Sequence, residues 1–235
     1  MQRYFAKEKN EDNFILYEND IHHIKNVMRY KEGDEIEVVY EKIVYKCKIK
    51  NIFPLKLDII SSNNEDREMD LELTIAISLV NEQKMDLILQ KLTELGVSSI
   101  IPIKTERSII KLDEKKEEKK INRWQSICKE ASEQSKRTIV PKVENIISLK
   151  ELSTIKSDLK LICSLNENTK SINNYLNKDL KKVLFVIGPE GGFTEKEETY
   201  LLSNNFLPVS LGKRVMRVET AAIFVASIIN YICEG

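Results

Sequence analysis

The stretch Val183-Leu184-Phe185-Val186-Ile187-Gly188-Pro189-Glu190-Gly191-Gly192 decides how this chain folds. An unbroken apolar run of this length, closed by glycine and proline, reads as a strand that ends in a tight loop. Glycines in such a loop let backbone N–H and C=O groups come close to a ligand, because no Cβ stands in the way. Thr194 and Glu197 then stand in the T-x-x-E spacing of a capping box, which opens a helix. Strand, glycine loop and helix in that order belong to an α/β sheet, where ligands bind beyond the carboxyl ends of the strands. A tight turn that needs positive φ would use the same residues, so the cluster alone leaves both readings open.

Further along the chain, a second strand end repeats the arrangement. Phe206–Leu211 leads into Gly212-Lys213-Arg214-Val215-Met216-Arg217, and a last helix spans about Glu219 to Cys233. Glu219 or Thr220 can satisfy the free amides at its start. Two such loops at successive strand ends converge on one crevice. It is neither a P-loop, since G-x-x-x-x-G-K-[ST] is missing, nor a dinucleotide loop, since G-x-G-x-x-G is missing. Towards the amino terminus the alternation continues. Leu71–Val80 is a strand, and a helix follows with Met85, Ile88, Leu89, Leu92 and Leu95 on one face, ended by Gly96. Val97–Ile103 is the next strand. A helix over about 113–135 turns Ile121, Trp124, Cys128 and Ala131 inward, and Leu159–Leu165 is a further strand. This alternation predicts a parallel α/β domain over residues 71–235.

Residues 1–62 read differently. Tyr45, Cys47 and Ile49 alternate with Lys46, Lys48 and Lys50, and Glu35–Tyr40 is the partner strand beyond the turn at Gly33-Asp34. Asp20 is placed to cap a short helix with Ile21, Ile24 and Met28 on one face. Ser61–Asp70 is polar with no apolar face and reads as a linker, so a small β-rich domain occupies residues 1–70.

Composition excludes several classes. Lys+Arg and Asp+Glu are both 37 among 235 residues, so the net charge is zero and a strongly basic nucleic-acid coat is excluded. A local basic patch is not: residues 104–142 hold 12 basic and 7 acidic side chains. Within it, Lys111–Lys120 reads as a solvated helix face, whereas Arg137 stands at the helix exit, where a guanidinium can reach across a strand end. The four cysteines are scattered without a C-x-x-C pair, and the two histidines, His22 and His23, are neighbours. Neither pattern suits a metal centre or a disulfide framework, and we expect no metal. The charged start lacks the apolar core of a signal peptide, and Ala221–Ile232 is too short to span a bilayer, so a reduced cytoplasm is the expected compartment.

At these residues the sequence resembles the RsmE family of 16S ribosomal RNA uridine-N3 methyltransferases, within the SPOUT superfamily. The matching segments are Met1–Phe5 (MQRYF), His23–Arg29 (HIKNVMR), Gln90–Val97 (QKLTELGV), Thr105–Ser108 (TERS), Glu133–Arg137 with Val140-Pro141, Ile187–Gly192 (IGPEGG) and Leu211–Ala221 (LGKRVMRVETA). Lys136 stands where the family often has glycine, and Ile139 where it often has a second basic residue. The resemblance implies a PUA-like β-barrel in front of a SPOUT α/β domain with a deep trefoil knot. It also implies a homodimer whose face includes the last helix, and S-adenosylmethionine bound in the knot loops. On that basis Leu165, Gly188, Gly192, Leu211, Gly212, Met216 and Arg217 line the cofactor site. Arg3, His23, Arg29, Arg107 and Arg137 contact 16S rRNA, within an assembled small ribosomal subunit, and Arg137 comes from the partner subunit.

Methylating uridine at N3 requires the base to be splayed out of its pairing, its N3 proton removed, and N3 brought in line with the sulfonium methyl. Arg137 or Arg217 would stabilise the anion that develops on the uracil, and Glu219 is either the base or a group that holds an arginine. Two alternatives stay open at this point: a silent RNA-binding or ribosome assembly factor, and a SPOUT methyltransferase acting on another RNA.

Overall fold

The computed structural model describes residues 1–10, 13–108, 114–166, 170–177 and 179–234. They fall into two compact units, Met1–Glu68 with Ser132–Ile139, and Met69–Ala131 with the chain from Val140 onward.

The first unit is a five-stranded sheet: β1 (Arg3–Asn10), β2 (Asn13–Leu16), β3 (Glu35–Tyr40), β4 (Ile43–Ile52) and β5 (Leu55–Asn64), in the order β2-β1-β3-β4-β5. The period-two pattern in β4 does what it predicts. Tyr45, Cys47 and Ile49 are buried with Ile36, Val38 and Leu57, while Lys48 and Lys50 face solvent. The side chain of Asn13 on β2 accepts the N–H of Leu57 on β5 at 3.1 Å, which links the two end strands.

Three sequence expectations change here. The short helix α1 (Glu18–His22) starts after Tyr17, not at Asp20, which lies buried inside it. It runs into a π-helical turn, His23–Val27. The wider turn shifts the phase, so Ile24 is buried while Met28 is exposed instead of sharing its face. Ser61–Asn64, expected in a linker, extend β5 and pair with Ile43–Lys46, because backbone pairing needs no apolar face. Residues 132–139, left with the second domain by the sequence, belong to the first unit.

The reason for that last change is two buried arginines. Arg3 was expected at RNA, yet it is 1% exposed. Its guanidinium donates to Glu37 and Glu65, each at 2.9 Å, and to the carbonyl oxygens of Lys136 and Arg137. With every such bond made inside the protein, it has no free face for a phosphate. Arg137 donates to Glu68 from Nε at 3.0 Å, and Glu68 also accepts the N–H groups of Thr138 and Ile139. Lys136 holds φ at 62°, a left-handed conformation that glycine adopts at less cost. That explains in physical terms why glycine suits this position.

The second unit is a parallel sheet in the order β12-β10-β11-β6-β7-β8, built from β6 (Glu72–Ser78), β7 (Ser99–Lys104), β8 (Lys142–Val143), β10 (Leu159–Cys163), β11 (Lys182–Ile187) and β12 (Leu207–Val209). A short β9 (Ile147–Ser148) also pairs with β7. The helices are α2 (Glu82–Glu94), α3 (Glu114–Gln134), α4 (Leu149–Ser153), α5 (Glu195–Ser203) and α6 (Val218–Glu234). Along β11, Val183, Phe185 and Ile187 pack with Met85, Leu89, Ala222 and Val225 of α2 and α6. Leu184 and Val186 pack on the other side with Leu152, Leu201 and Phe206. A strand sandwiched in this way must be apolar at every position, as VLFVI is. Gly96, at φ 82°, ends α2 as the sequence predicts. β11 lies between β10 and β6, so the chain doubles back where the carboxyl ends of β10, β11 and β12 meet. Sheets of this kind bind ligands at such a reversal.

Candidate active site

The loops that leave β10, β11 and β12 enclose a cleft of about 370 Å³. That lies within the range of roughly 300–1,000 Å³ usual for small-molecule sites. The loop after β11 is a tight turn. Gly192, at φ 69°, donates its N–H to Pro189 O at 2.8 Å. A Cβ on Gly188 would stand 2.9 Å from the ring of Phe193, so any other residue there would force that ring to shift. The start of α5 is locked by the capping box that the sequence predicts, with Thr194 and Glu197 bonding reciprocally. The buried Glu197 carboxylate also accepts the N–H of Glu106 at 2.8 Å, which draws the loop after β7 to the same end of the sheet. Arg107, next in that loop, donates to Gly191 O at 2.6 Å and lines the cleft.

Leu165, Gly188, Gly192, Leu211, Gly212 and Met216 are brought together in the cleft lining. Arg217 and Glu219 are not in it. Arg217 is exposed. Glu219 is largely buried in the first turn of α6, with Oε2 3.7 Å from Lys84 Nζ. Of the expected RNA contacts, Arg29 and Arg107 are exposed, His23 bonds the hydroxyl of Tyr4 at 2.9 Å, and Arg3 and Arg137 are buried in the first unit.

Sequence reasoning missed two groups of residues. Ser164 and Asn166 flank Leu165 in the lining and both donate to Glu198, another lining residue. The end of the strand Leu159–Cys163 was a signal for the first two. Lys84, in the first turn of α2, pairs with Glu190 of the glycine loop. No sequence signal links partners 106 residues apart. That bond, with the charge of Glu219, raises the Lys84 pKa, and Lys84 in turn lowers that of Glu190. Burial pushes the Cys163 thiol up to about 12, so in the lining it is an apolar wall and not a nucleophile.

Lys84→Met is expected to free Glu190 without unfolding the sheet, because Lys84 is half-buried at the surface and Glu190 is exposed. Affinity for a ligand of the cleft should drop about two- to fivefold, the scale of a surface ion pair. Titration calorimetry measures it, and unchanged affinity would show that the pair does not shape the loop.

The comparisons with known proteins agree with this geometry. The RNA methyltransferase domain family model matches residues 67–230, and the RNA methyltransferase PUA domain model matches residues 16–59. Ribosomal RNA small subunit methyltransferase E of Bacillus subtilis is 37% identical over 100% of this chain and 98% of that protein. The chain belongs to the ribosomal RNA small subunit methyltransferase E family. A crystal structure of the Neisseria gonorrhoeae family member bound to S-adenosyl methionine is 30% identical, covers 99% of this chain and 98% of its own, and superposes with a TM-score of 0.89. A Legionella pneumophila structure with its bound cofactor SAM is 29% identical over 99% of this chain and 98% of its own, with a TM-score of 0.93.

Proposed function

We propose that this chain transfers the methyl group of S-adenosylmethionine to N3 of a uridine in 16S ribosomal RNA. The observation that carries the reading is the glycine-walled cleft at the carboxyl ends of β10, β11 and β12, in a chain of this family. The residues present suit the cofactor. Gly188 and Gly192 leave the strand end uncluttered, Leu165, Leu211 and Met216 supply apolar walls, and loop backbone supplies hydrogen-bonding groups.

Bound there, S-adenosylmethionine supplies an electrophilic methyl on a good leaving group. The chain's own contribution is then position and electrostatics. Arg107 brings a positive charge to the cleft, where it can face the uracil carbonyl oxygens as the N3 proton passes to solvent water. Arg137, presented by Glu68, serves the target base from the partner subunit. We read Glu219 as the partner of Lys84 and not as the base, because it stands outside the cleft lining. Arg217 takes its place beside that pair. Exposed Arg29 contacts RNA phosphate.

The same reading takes the first unit as a PUA-like barrel, supported by the Asn13–Leu57 bond between its end strands, and the last loops and α6 as a deep trefoil knot. The substrate is rRNA in an assembled small subunit, and the compartment is the cytoplasm. Among the described residues, no helix is long and apolar enough to cross a membrane.

We also propose a homodimer through α6. Phe224, Ile228, Tyr231 and Ile232 recur at helical spacing on one stripe; three of them are exposed, Tyr231 to 78%. Phe224→Glu is expected to shift the protein to monomer by sedimentation velocity. A variant that stays dimeric would place the interface elsewhere.

The function is tested by mass spectrometry of ribosomal RNA from cells with and without the gene. N3-methyluridine in 16S rRNA is expected to disappear on deletion and return with the gene. Its persistence would refute the assigned substrate.

A further inference from the structure

Two carboxylates line the cleft, and they are in different electrostatic states. Glu190 is paired with the ammonium of Lys84. Glu198 accepts from the hydroxyl of Ser164 and from Asn166 Nδ2, the latter at 2.8 Å. Both donors are neutral, so among the described residues Glu198 has hydrogen-bond partners but no cation within salt-bridge distance. None of the three cations of the lining, Arg107, Lys213 and Arg214, is ion-paired with Glu198. Arg107 is engaged with the carbonyl oxygens of Gly191 and Phe193, and Lys213 and Arg214 are exposed to water. Glu198 is itself half-buried, and its negative charge faces a cleft whose walls include the buried Ile187 and the half-buried Leu211 and Met216. A charge beside low-dielectric walls keeps its field instead of losing it to solvent.

A carboxylate left uncompensated in a cleft discriminates between ligands of the same shape and different charge. S-adenosylmethionine carries a sulfonium cation, and its demethylated product, S-adenosylhomocysteine, has a neutral thioether at that sulfur. We infer that Glu198, held in place by Ser164 and Asn166, is a specificity-determining residue that favours the cationic methyl donor over its neutral product. This rests on the proposed cofactor reading of the cleft. It adds a physical role, because an enzyme that binds its product less well than its donor is freed for the next turnover.

The test is titration calorimetry of the full-length protein with S-adenosylmethionine and with S-adenosylhomocysteine. In Glu198→Gln the ratio of donor to product affinity is expected to fall about fivefold or more, the scale of one charge–charge contact in a water-like dielectric. Glu198→Asp, which keeps the charge, should restore most of the ratio. Ser164→Ala, which loosens the loop and keeps the charge, should weaken both ligands alike. A Glu198→Gln protein with the wild-type ratio, whether or not both affinities drop, would overturn the proposal and leave the cofactor reading intact. Wild-type protein that bound neither compound would overturn the cofactor reading itself.

Discussion

Gly192→Val is expected to weaken S-adenosylmethionine binding about 30- to 150-fold while the protein stays folded. Gly192 sits at φ 69°, where a β-branched residue is strained by about 1–3 kcal/mol. The loop can relieve that strain by giving up the Gly192 N–H to Pro189 O bond, which re-aims the peptide groups that face the cleft. A Cβ at this position also stands 3.7 Å from Leu165 Cδ1, and the two valine methyls beyond it take space between the two cleft walls. Together these costs amount to about 2–3 kcal/mol, which gives the stated range. Gly191→Ala is the control. Its φ is not in the left-handed region, and its Cβ would meet the flexible Arg107 side chain at 3.3 Å, so a change of about twofold is expected. Calorimetry on the two variants decides the matter, and affinity within threefold of wild type for Gly192→Val would mean that the loop does not cradle the ligand.

Arg3→Met should destabilise the first unit by about 3 kcal/mol, read from urea unfolding monitored by circular dichroism. Removing the guanidinium leaves Glu37 and Glu65 without their shared cation and takes one hydrogen bond from each of two loop carbonyls. Loss of one member of a buried ionic cluster costs about 3–5 kcal/mol, and the lower end applies because both carboxylates keep some exposure. Arg3→Met combined with Glu37→Gln and Glu65→Gln should recover part of the loss, since the two half-buried carboxylates then carry no charge, while Lys136 and Arg67 lose their carboxylate partners but are more exposed than Arg3. The same cluster sets a pH dependence. Burial works to raise the Glu37 pKa, but hydrogen bonds from Lys136 and Arg3 outweigh it, and the net shift is downward. Glu65 is shifted down for the same reason, with Arg3 and Arg67 as donors. The folded state therefore binds fewer protons than the unfolded one. The stabilisation is whole above the ordinary glutamate pKa and is lost as pH falls through the lowered values. Wild type should lose stability over that acid range more steeply than Arg3→Met. Equal slopes would mean that Arg3 does not hold these carboxylates.

Much of the second unit was legible because local chemistry and packing agree there. VLFVI is apolar at every position and lies between two layers of helices. The α2 stripe is buried at Met85, Ile88, Leu89 and Leu92, and Thr194 caps α5. Each of these depends on neighbours within one helical turn or one strand. The same rule failed at Met28, because a π-helical turn altered the period on which the argument rested. It failed again at Ser61–Asn64, where the strand is made by backbone pairing and the side chains say nothing.

By itself, then, the sequence determined the alternation of strands and helices, the two glycine loops, and the residues Leu165, Gly188, Gly192, Leu211, Gly212 and Met216 that meet in one cleft. The alternation and the loops are short-range facts of periodicity, capping and backbone freedom, whereas the six cleft residues follow from the family resemblance. Only the tertiary structure decided which charges are spent inside the protein. Arg3 looks like an RNA-facing cation on paper, yet it is absorbed by glutamates 34 and 62 positions away, and Arg137 is held by a glutamate 69 positions away. Lys84 and Glu190 find each other across 106 residues. Charge pairing acts through space, and a linear chain carries no record of which distant carboxylate the fold will bring within 3 Å.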